Sequence, residues 1–278
     1  MVEKGCLYIV ATPIGNLGDM SPRAVEVLSE VDLIACEDTR HSARLMCHFG
    51  IQTPCLAYHE HNESQMCHQL VSRLQKGEAI ALVSDAGTPL VSDPGYQLVC
   101  AAREAGCGVV PLPGPVALIA ALSVSGLPSD RFIFEGFLPA KTVARRQRLE
   151  VLAGEVRTLI FYESTHRIEA SLADMAEKFG AERRAVIARE LTKRFETIQG
   201  DSLAGLQHWL ASDVNQRRGE FVVMVQGATV VQVREVDVEA ERILKVLLTE
   251  LPVKKAAALA AKLTGLKKNV LYQHALTL

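Results

Sequence analysis

Short continuous apolar runs recur along the first half of the chain. Residues 7–12 (LYIVAT), 31–36 (VDLIAC), 79–83 (AIALV) and 109–112 are each closed by a polar or glycine-bearing cluster. Runs of this length without alternation predict strands buried on both faces. Helical patterns separate them. Ser21-Pro22 predicts an N-cap followed by proline at the first helical position, opening a helix to about residue 29. Further helices are expected from residue 42, over 63–76 with Gly77 as its stop, and over 96–105. Strands alternating with helices at this spacing predict a mostly parallel sheet.

The second half repeats the theme with more strand. Strands are expected at 132–137, 158–162, 185–189 and 220–226, and helices at 143–153, 167–179 and 202–211. Pro111-Leu-Pro113-Gly114-Pro115 removes backbone donors and stiffens the reversal between the halves, or serves only as a rigid linker. From about residue 238 the pattern becomes purely helical, with Pro252 and Gly265 separating 239–250, 253–264 and 268–276. The expected organisation is an α/β domain over 1–115, a second α/β domain over 116–230 and a helical extension over 238–278.

Composition narrows the class. With 22% charged residues, nearly half apolar and 278 residues in all, the chain is globular and long enough to bury a core without staples. Its seven cysteines are odd in number and form no CxxC pair, which predicts reduced thiols rather than zinc ligands or a disulfide framework. No signal-peptide pattern and no apolar run of membrane-spanning length occurs, so a cytoplasmic protein without a membrane partner is expected. Net charge is −2, but its distribution is uneven. Residues 251–278 carry Lys254, Lys255, Lys262, Lys267 and Lys268 and no acid, and Lys141, Arg145, Arg146 and Arg148 form a second basic stretch. Each stretch is either a local nucleic-acid footprint or a solvated helix face.

In open α/β sheets ligands sit beyond the carboxyl ends of strands, where three loops draw attention: 12–19, 37–41 and 84–95. The first holds only Gly15 and Gly18, short of the G-x-G-x-x-G dinucleotide fingerprint, although Glu37 and Asp38 follow at about the distance of a ribose-binding acid. No phosphate-binding P-loop pattern occurs. Ser84-Asp-Ala-Gly-Thr-Pro89 says more: Asp85 can hold a ligand hydroxyl or ammonium, and Gly87 admits a close approach. An Asx-type turn capping the next helix is the plainer alternative. His59 and His61 share a strand face but lack a third ligand at convincing spacing, so no metal is expected.

Taken in chain order, ATPIGNLGD (11–19), EDTR (37–40), SDAGTPLVSDPG (84–95), the proline turn, FYESTHR (161–167), ARELTK (188–193) and residues 219–227 resemble successive motifs of the tetrapyrrole methylase superfamily. They look most like its branch that methylates a cytidine ribose 2′-hydroxyl in the decoding region of small-subunit ribosomal RNA. The likeness runs over about residues 5–227, and the helical tail is similar to that branch's C-terminal extension. The resemblance implies an α/β homodimer of two-domain subunits, with S-adenosylmethionine in the cleft between the domains. Carried onto matching positions, it implies Asp85, Thr88, Pro115, Val116 and Tyr162 as cofactor contacts, with Gly87 beside them.

A ribose hydroxyl is a poor nucleophile until its proton is removed or shared. Arg189, Glu190 and Lys193 in ARELTK are the candidates: Glu190 can accept a proton and Lys193 can stabilise a developing alkoxide, or the two form a surface ion pair. Arg40 and His41 either contact substrate phosphate and sugar or cap the strand end. Lys254, Lys255, Lys267 and Lys268 lie in a helix–glycine turn–helix pattern that resembles a helix-turn-helix. They can grip RNA phosphates, or the helical pair packs in a dimer. Two rival functions remain open: methylation of a tetrapyrrole precursor, and a non-catalytic RNA-binding assembly factor.

Overall fold

The structure is a computed structural model and describes residues 2–59, 61–229, 236 and 238–278. It divides into two compact units, 1–228 and 229–278. Both sheets belong to the first.

The first sheet is entirely parallel, with order β3-β2-β4-β1-β5. Its strands are β1 (Cys6–Val10), β2 (Leu33–Cys36), β3 (Cys55–Ala57), β4 (Ile80–Val83) and β5 (Gly108–Leu112). Every residue of β2 and β4 is buried, as their unbroken apolar runs require. The helices α1 (Pro22–Glu30), α2 (Thr39–His48), α3 (Glu63–Gln75) and α4 (Tyr96–Glu104) connect these strands. Ser21 caps α1 through its hydroxyl, which accepts from the Ala24 amide, with proline at the first helical position as expected. Leu7, Ile80 and Leu82 fill one side of the sheet, and Tyr8, Ile34 and Ala81 fill the other.

The second sheet has order β6-β7-β10-β8-β9 and is mixed: β6 and β7 are parallel, and the remaining pairs are antiparallel. Its strands are β6 (Phe132–Phe137), β7 (Thr158–Ser164), β8 (Arg184–Arg189), β9 (Thr197–Ser202) and β10 (Glu220–Val225). Helices α6 (Thr142–Leu152), α7 (Ile168–Phe179) and α8 (Leu203–Ser212) cover one face, around Leu149, Phe161, Leu172 and Val223. Helix α5 (Ala117–Ser125) covers the other, through Leu118, Ala121 and Leu122 against Ile160 and Met224.

Three details depart from the sequence expectation. Strand β3 has only three residues, too few for a periodic signal. Strand β9 reads TIQGDS, polar because it lies at the sheet edge with only β8 beside it. Helix α2 begins at Thr39 rather than 42, because the Asp38 carboxylate accepts from the Arg40 amide and caps it. The Asp38-Thr-Arg-His segment is therefore a helix start, not a loop.

The basic stretch 141–148 is also corrected. Arg145 is buried and bonded to Asp174, Arg146 reaches Asp174 and Glu177, and Arg148 makes two bonds to Glu135. Three of its four cations are thus neutralised within the fold, which removes it as a nucleic-acid face.

In the second unit, α9 (Val238–Glu250), α10 (Val253–Thr264) and α11 (Lys268–Ala275) enclose a core of Ala240, Leu244, Ala256, Ala257, Ala260, Leu266, Leu271 and Ala275. Alanines on the inner face let the helices approach closely. Gly265 ends α10 in the left-handed conformation that a helix C-terminus favours. Among the described residues no helix is long and apolar enough to cross a membrane.

Candidate active site

The carboxyl ends of β2 and β4 face the ends of β7 and β8 and the start of β10. A cavity of about 420 Å³ lies between them, within the roughly 300–1,000 Å³ typical of small-molecule sites. The first sheet contributes Glu37, Asp85, Gly87 and Thr88, followed by Ser92 and Asp93. The second lobe contributes Val116, Phe137, Tyr162, Ala188, Leu191 and Val222.

The loop after β4 is held in place by pairing across the lobe. Thr12 and Gly87 exchange backbone hydrogen bonds of 2.8 and 3.0 Å, and Gly87 takes φ +86°, a conformation that favours glycine. A Cβ there would meet only ordinary contacts, 3.4 Å from Ile14 and 3.8 Å from the Pro115 carbonyl, so the backbone angle is what favours glycine here. The Thr88 hydroxyl donates to that same carbonyl at 3.0 Å, tying the loop to the proline turn. Leu90 and Ser92 also have positive φ, at 72° and 67°. Strained backbone of this kind, concentrated at one end of a sheet, marks a place where geometry is imposed by the surrounding fold.

Charge in the cavity is one-sided. Burial pushes the Glu37 carboxyl above its usual range, with the Asp85 carboxylate adding to the effect. Burial likewise carries Asp93 up to about 6, with Glu37 and Asp85 contributing. The Asp85 carboxylate accepts from the Asp38 amide at 3.1 Å. Clustered acids beside apolar Ile14, Val91 and Val116 fit a ligand that couples a positive charge to a flat apolar ring. The Tyr162 hydroxyl accepts from the Leu118 amide at the start of α5, and its ring meets Phe134 edge-on, with centroids 4.9 Å apart.

A second cavity of about 360 Å³ adjoins the first and shares Ile14, Asp85, Ala86 and Glu220 with it. Pro13, Gly15, Leu17, His41, Arg44, Leu45 and Lys193 complete its lining. The Lys193 ammonium is held 2.9 Å from both Glu190 and Glu220. Burial alone would lower its pKa, but the two carboxylates outweigh it and raise the pKa, keeping the group charged. Glu190 is the mirror case: burial would raise it, but the Glu220 amide and the Lys193 ammonium hold it below the usual carboxylate range.

The expected site residues therefore separate. Asp85, Gly87, Thr88, Val116 and Tyr162 line the first cavity, and Pro115 stands behind it through its carbonyl. Lys193 and His41 line the second. Glu190 lines neither cavity and grips Lys193 from behind. Arg189 is also outside both: its guanidinium donates to the carbonyls of Asn215, Arg218 and Phe195 and to the Thr197 hydroxyl, pinning the 190–197 loop. Arg40 is turned to Asp38 and is exposed. Lys254, Lys255, Lys267 and Lys268 are exposed on the second unit. Sequence reasoning missed Asp93, Arg44 and Glu220. The Asp-Pro-Gly turn, 93–95, is the signal that could have exposed Asp93. Among the described residues no group of three or more His, Cys, Asp or Glu could hold a metal ion.

Solved structures share this architecture at low identity. Diphthine synthase superposes with a TM-score of 0.58 and 15% identity, covering 81% of this chain and 90% of that one. A cobalamin-biosynthetic cobalt precorrin-4 methyltransferase gives 0.57 and 16%, covering 80% and 95%. Fold and cleft thus define a two-lobed α/β protein with the architecture of these structures. Residues 6–207 match the family described as tetrapyrrole (corrin/porphyrin) methylases, and 234–278 match the RsmI C-terminal HTH domain. The chain belongs to the tetrapyrrole methylase family and is an S-adenosylmethionine-dependent methyltransferase. It is similar to proteins named ribosomal RNA small subunit methyltransferase I. The one from Pseudomonas aeruginosa is 62% identical, covering 99% of this chain and 98% of the relative, and that from Escherichia coli O157:H7 is 56% identical, covering 99% and 96%.

Proposed function

We propose that the chain methylates the ribose 2′-hydroxyl of a cytidine in the decoding region of small-subunit ribosomal RNA, acting as a cytoplasmic homodimer. The observation that carries this reading is similarity along the full chain, helical tail included, to proteins named for small-subunit ribosomal RNA methylation. The four exposed tail lysines favour a polyanionic acceptor over a tetrapyrrole precursor.

The first cavity suits the donor. Asp85 and Asp93 favour its positive charges, Gly87 lets backbone approach it, and Val116 and Tyr162 offer apolar surface to its ring. S-adenosylmethionine supplies a methyl group on a sulfonium whose sulfur keeps the bonding pair. The chain's own contribution is alignment and charge. Lys193, charged and lining the adjoining cavity, donates to the ribose oxygen as its O–H proton leaves and negative charge develops. Glu220, which lines both cavities, takes that proton in this reading. Glu190 and Arg189 act as positioning residues, the first on the Lys193 ammonium and the second on its loop.

Purified small ribosomal subunits incubated with labelled donor should gain a ribose methyl that maps to one cytidine. Transfer to a corrin precursor instead, or RNA binding without transfer, would favour the rival readings. Asp85→Ala is expected to reduce donor affinity by at least a hundredfold in calorimetry, and unchanged affinity would remove Asp85 from the cofactor contacts.

A further inference from the structure

The second cavity has an arrangement that the donor cleft does not need. Its acids, Asp85 and Glu220, belong also to the first cavity and so mark the seam between the two. Its basic groups His41 and Arg44 line the second cavity and not the first. Both project from α2 with Leu45, as residues three and four apart on a helix must share a face. The Arg44 guanidinium makes no hydrogen bond or ion pair among the described residues, unlike that of Arg40 one turn earlier. Pro13 and Leu17 from the loop after β1 add apolar surface to the same lining. The cavity thus combines apolar side chains with basic ones and shares its acids with the donor cleft.

Gly15 explains how the lysine reaches the cavity. A Cβ at position 15 would lie 2.5 Å from Lys193 Cγ and 3.0 Å from its Cε. The lysine stem therefore crosses the chain directly over this glycine. The loop after β1 is shaped to pass a side chain from the opposite lobe, not to cradle a pyrophosphate.

We propose that this second cavity seats the acceptor nucleotide, unstacked from its RNA, with its base against Pro13, Leu17 and Leu45. Arg44 and His41 hold a flanking phosphate. Lys193, threaded over Gly15, meets the ribose at the seam. This rests on the ribose-methylation reading above and adds the seat and its phosphate contact. A nucleotide lifted from its neighbours is the form in which RNA offers a single ribose and base to a recessed site. The cavity volume of about 360 Å³ falls in the range of small-molecule sites.

The test uses the full chain. Arg44→Glu changes an exposed helix residue, so folding should persist. It is expected to raise KM for small ribosomal subunits at least tenfold, with kcat and calorimetric donor affinity within twofold of the parent; Arg44→Lys should recover most of the loss. Gly15→Ala should instead lower kcat about tenfold by displacing Lys193, with KM little changed. An unaltered KM in Arg44→Glu while the parent methylates RNA overturns the proposal, as does a loss confined to donor affinity. A parent chain that methylates no ribosomal RNA fails the function reading itself. The cavity is then judged by titrating cytidine 3′,5′-bisphosphate. At least tenfold weaker binding by Arg44→Glu supports the seat, and equal binding rejects it.

Discussion

Two stretches of this chain look alike as strings of letters and behave as opposites in the fold. Residues 141–148 and the tail from 251 are both rich in lysine and arginine. In the first, Arg145 and Asp174 face each other with side chains only 4% and 3% exposed, and Arg146 and Arg148 are paired with neighbouring acids. In the second, Lys254, Lys255, Lys267 and Lys268 are exposed, and no acid occurs between 251 and 278 to neutralise them. Local density of positive charge therefore says little about a polyanion site. What decides is whether the fold brings acids up to it. The cleft is a third case, with acids gathered around a space where a cation fits.

The largest effect should come from breaking the buried pair. Asp174→Ala strands the Arg145 guanidinium in the interior and should cost about 3–5 kcal/mol, read from urea denaturation midpoints. The pair also has a pH signature. Burial alone would raise the Asp174 pKa, but the two arginines win and lower it. Its stabilisation is therefore present above the ordinary carboxylate range and lost as pH falls through the lowered value. Replacing the four tail lysines with alanine should leave stability within about 0.5 kcal/mol. It should weaken RNA binding about tenfold or more and make the slope of log affinity against log salt shallower by about 0.7 for each phosphate no longer neutralised.

The cleft offers a smaller, tunable effect. Asp93 titrates near 6, raised above its ordinary value, so it is protonated in weak acid and charged at neutrality. Affinity for a cationic donor should rise between about pH 5 and 7, by at most about tenfold per unit from this one group. The apo protein should show the reverse sign: the contribution of Asp93 to stability is greatest below its unfolded pKa and is lost as pH rises through 6. Asp93→Asn should flatten the affinity profile in calorimetry at a series of pH values. The smallest effect is expected from Arg146→Gln with Arg148→Gln, where RNA affinity should stay within twofold. An RNA defect there would break the contrast between the two stretches.

Much of this was legible in the chain. Unbroken apolar runs marked β1, β2 and β4, because a strand covered on both faces has no polar side to show. Ser21-Pro22 signalled the start of α1, and Asp85 with Gly87 announced the loop after β4. The short β3 and the polar edge strand β9 escaped, since neither buries enough apolar surface to leave a pattern.

The sequence by itself determined the succession of elements, the family to which they belong and the turn chemistry that closes each strand, because these depend on residues near one another in the chain. Only the tertiary structure decided which charges are paired. It set Asp174 against Arg145 from 29 positions away and Glu220 against Lys193 from 27. It also passed the stem of Lys193 over Gly15 and brought two adjoining cavities together at Asp85 and Glu220. Electrostatics and close packing act through space, and the linear order of residues does not record distances between segments far apart in the chain.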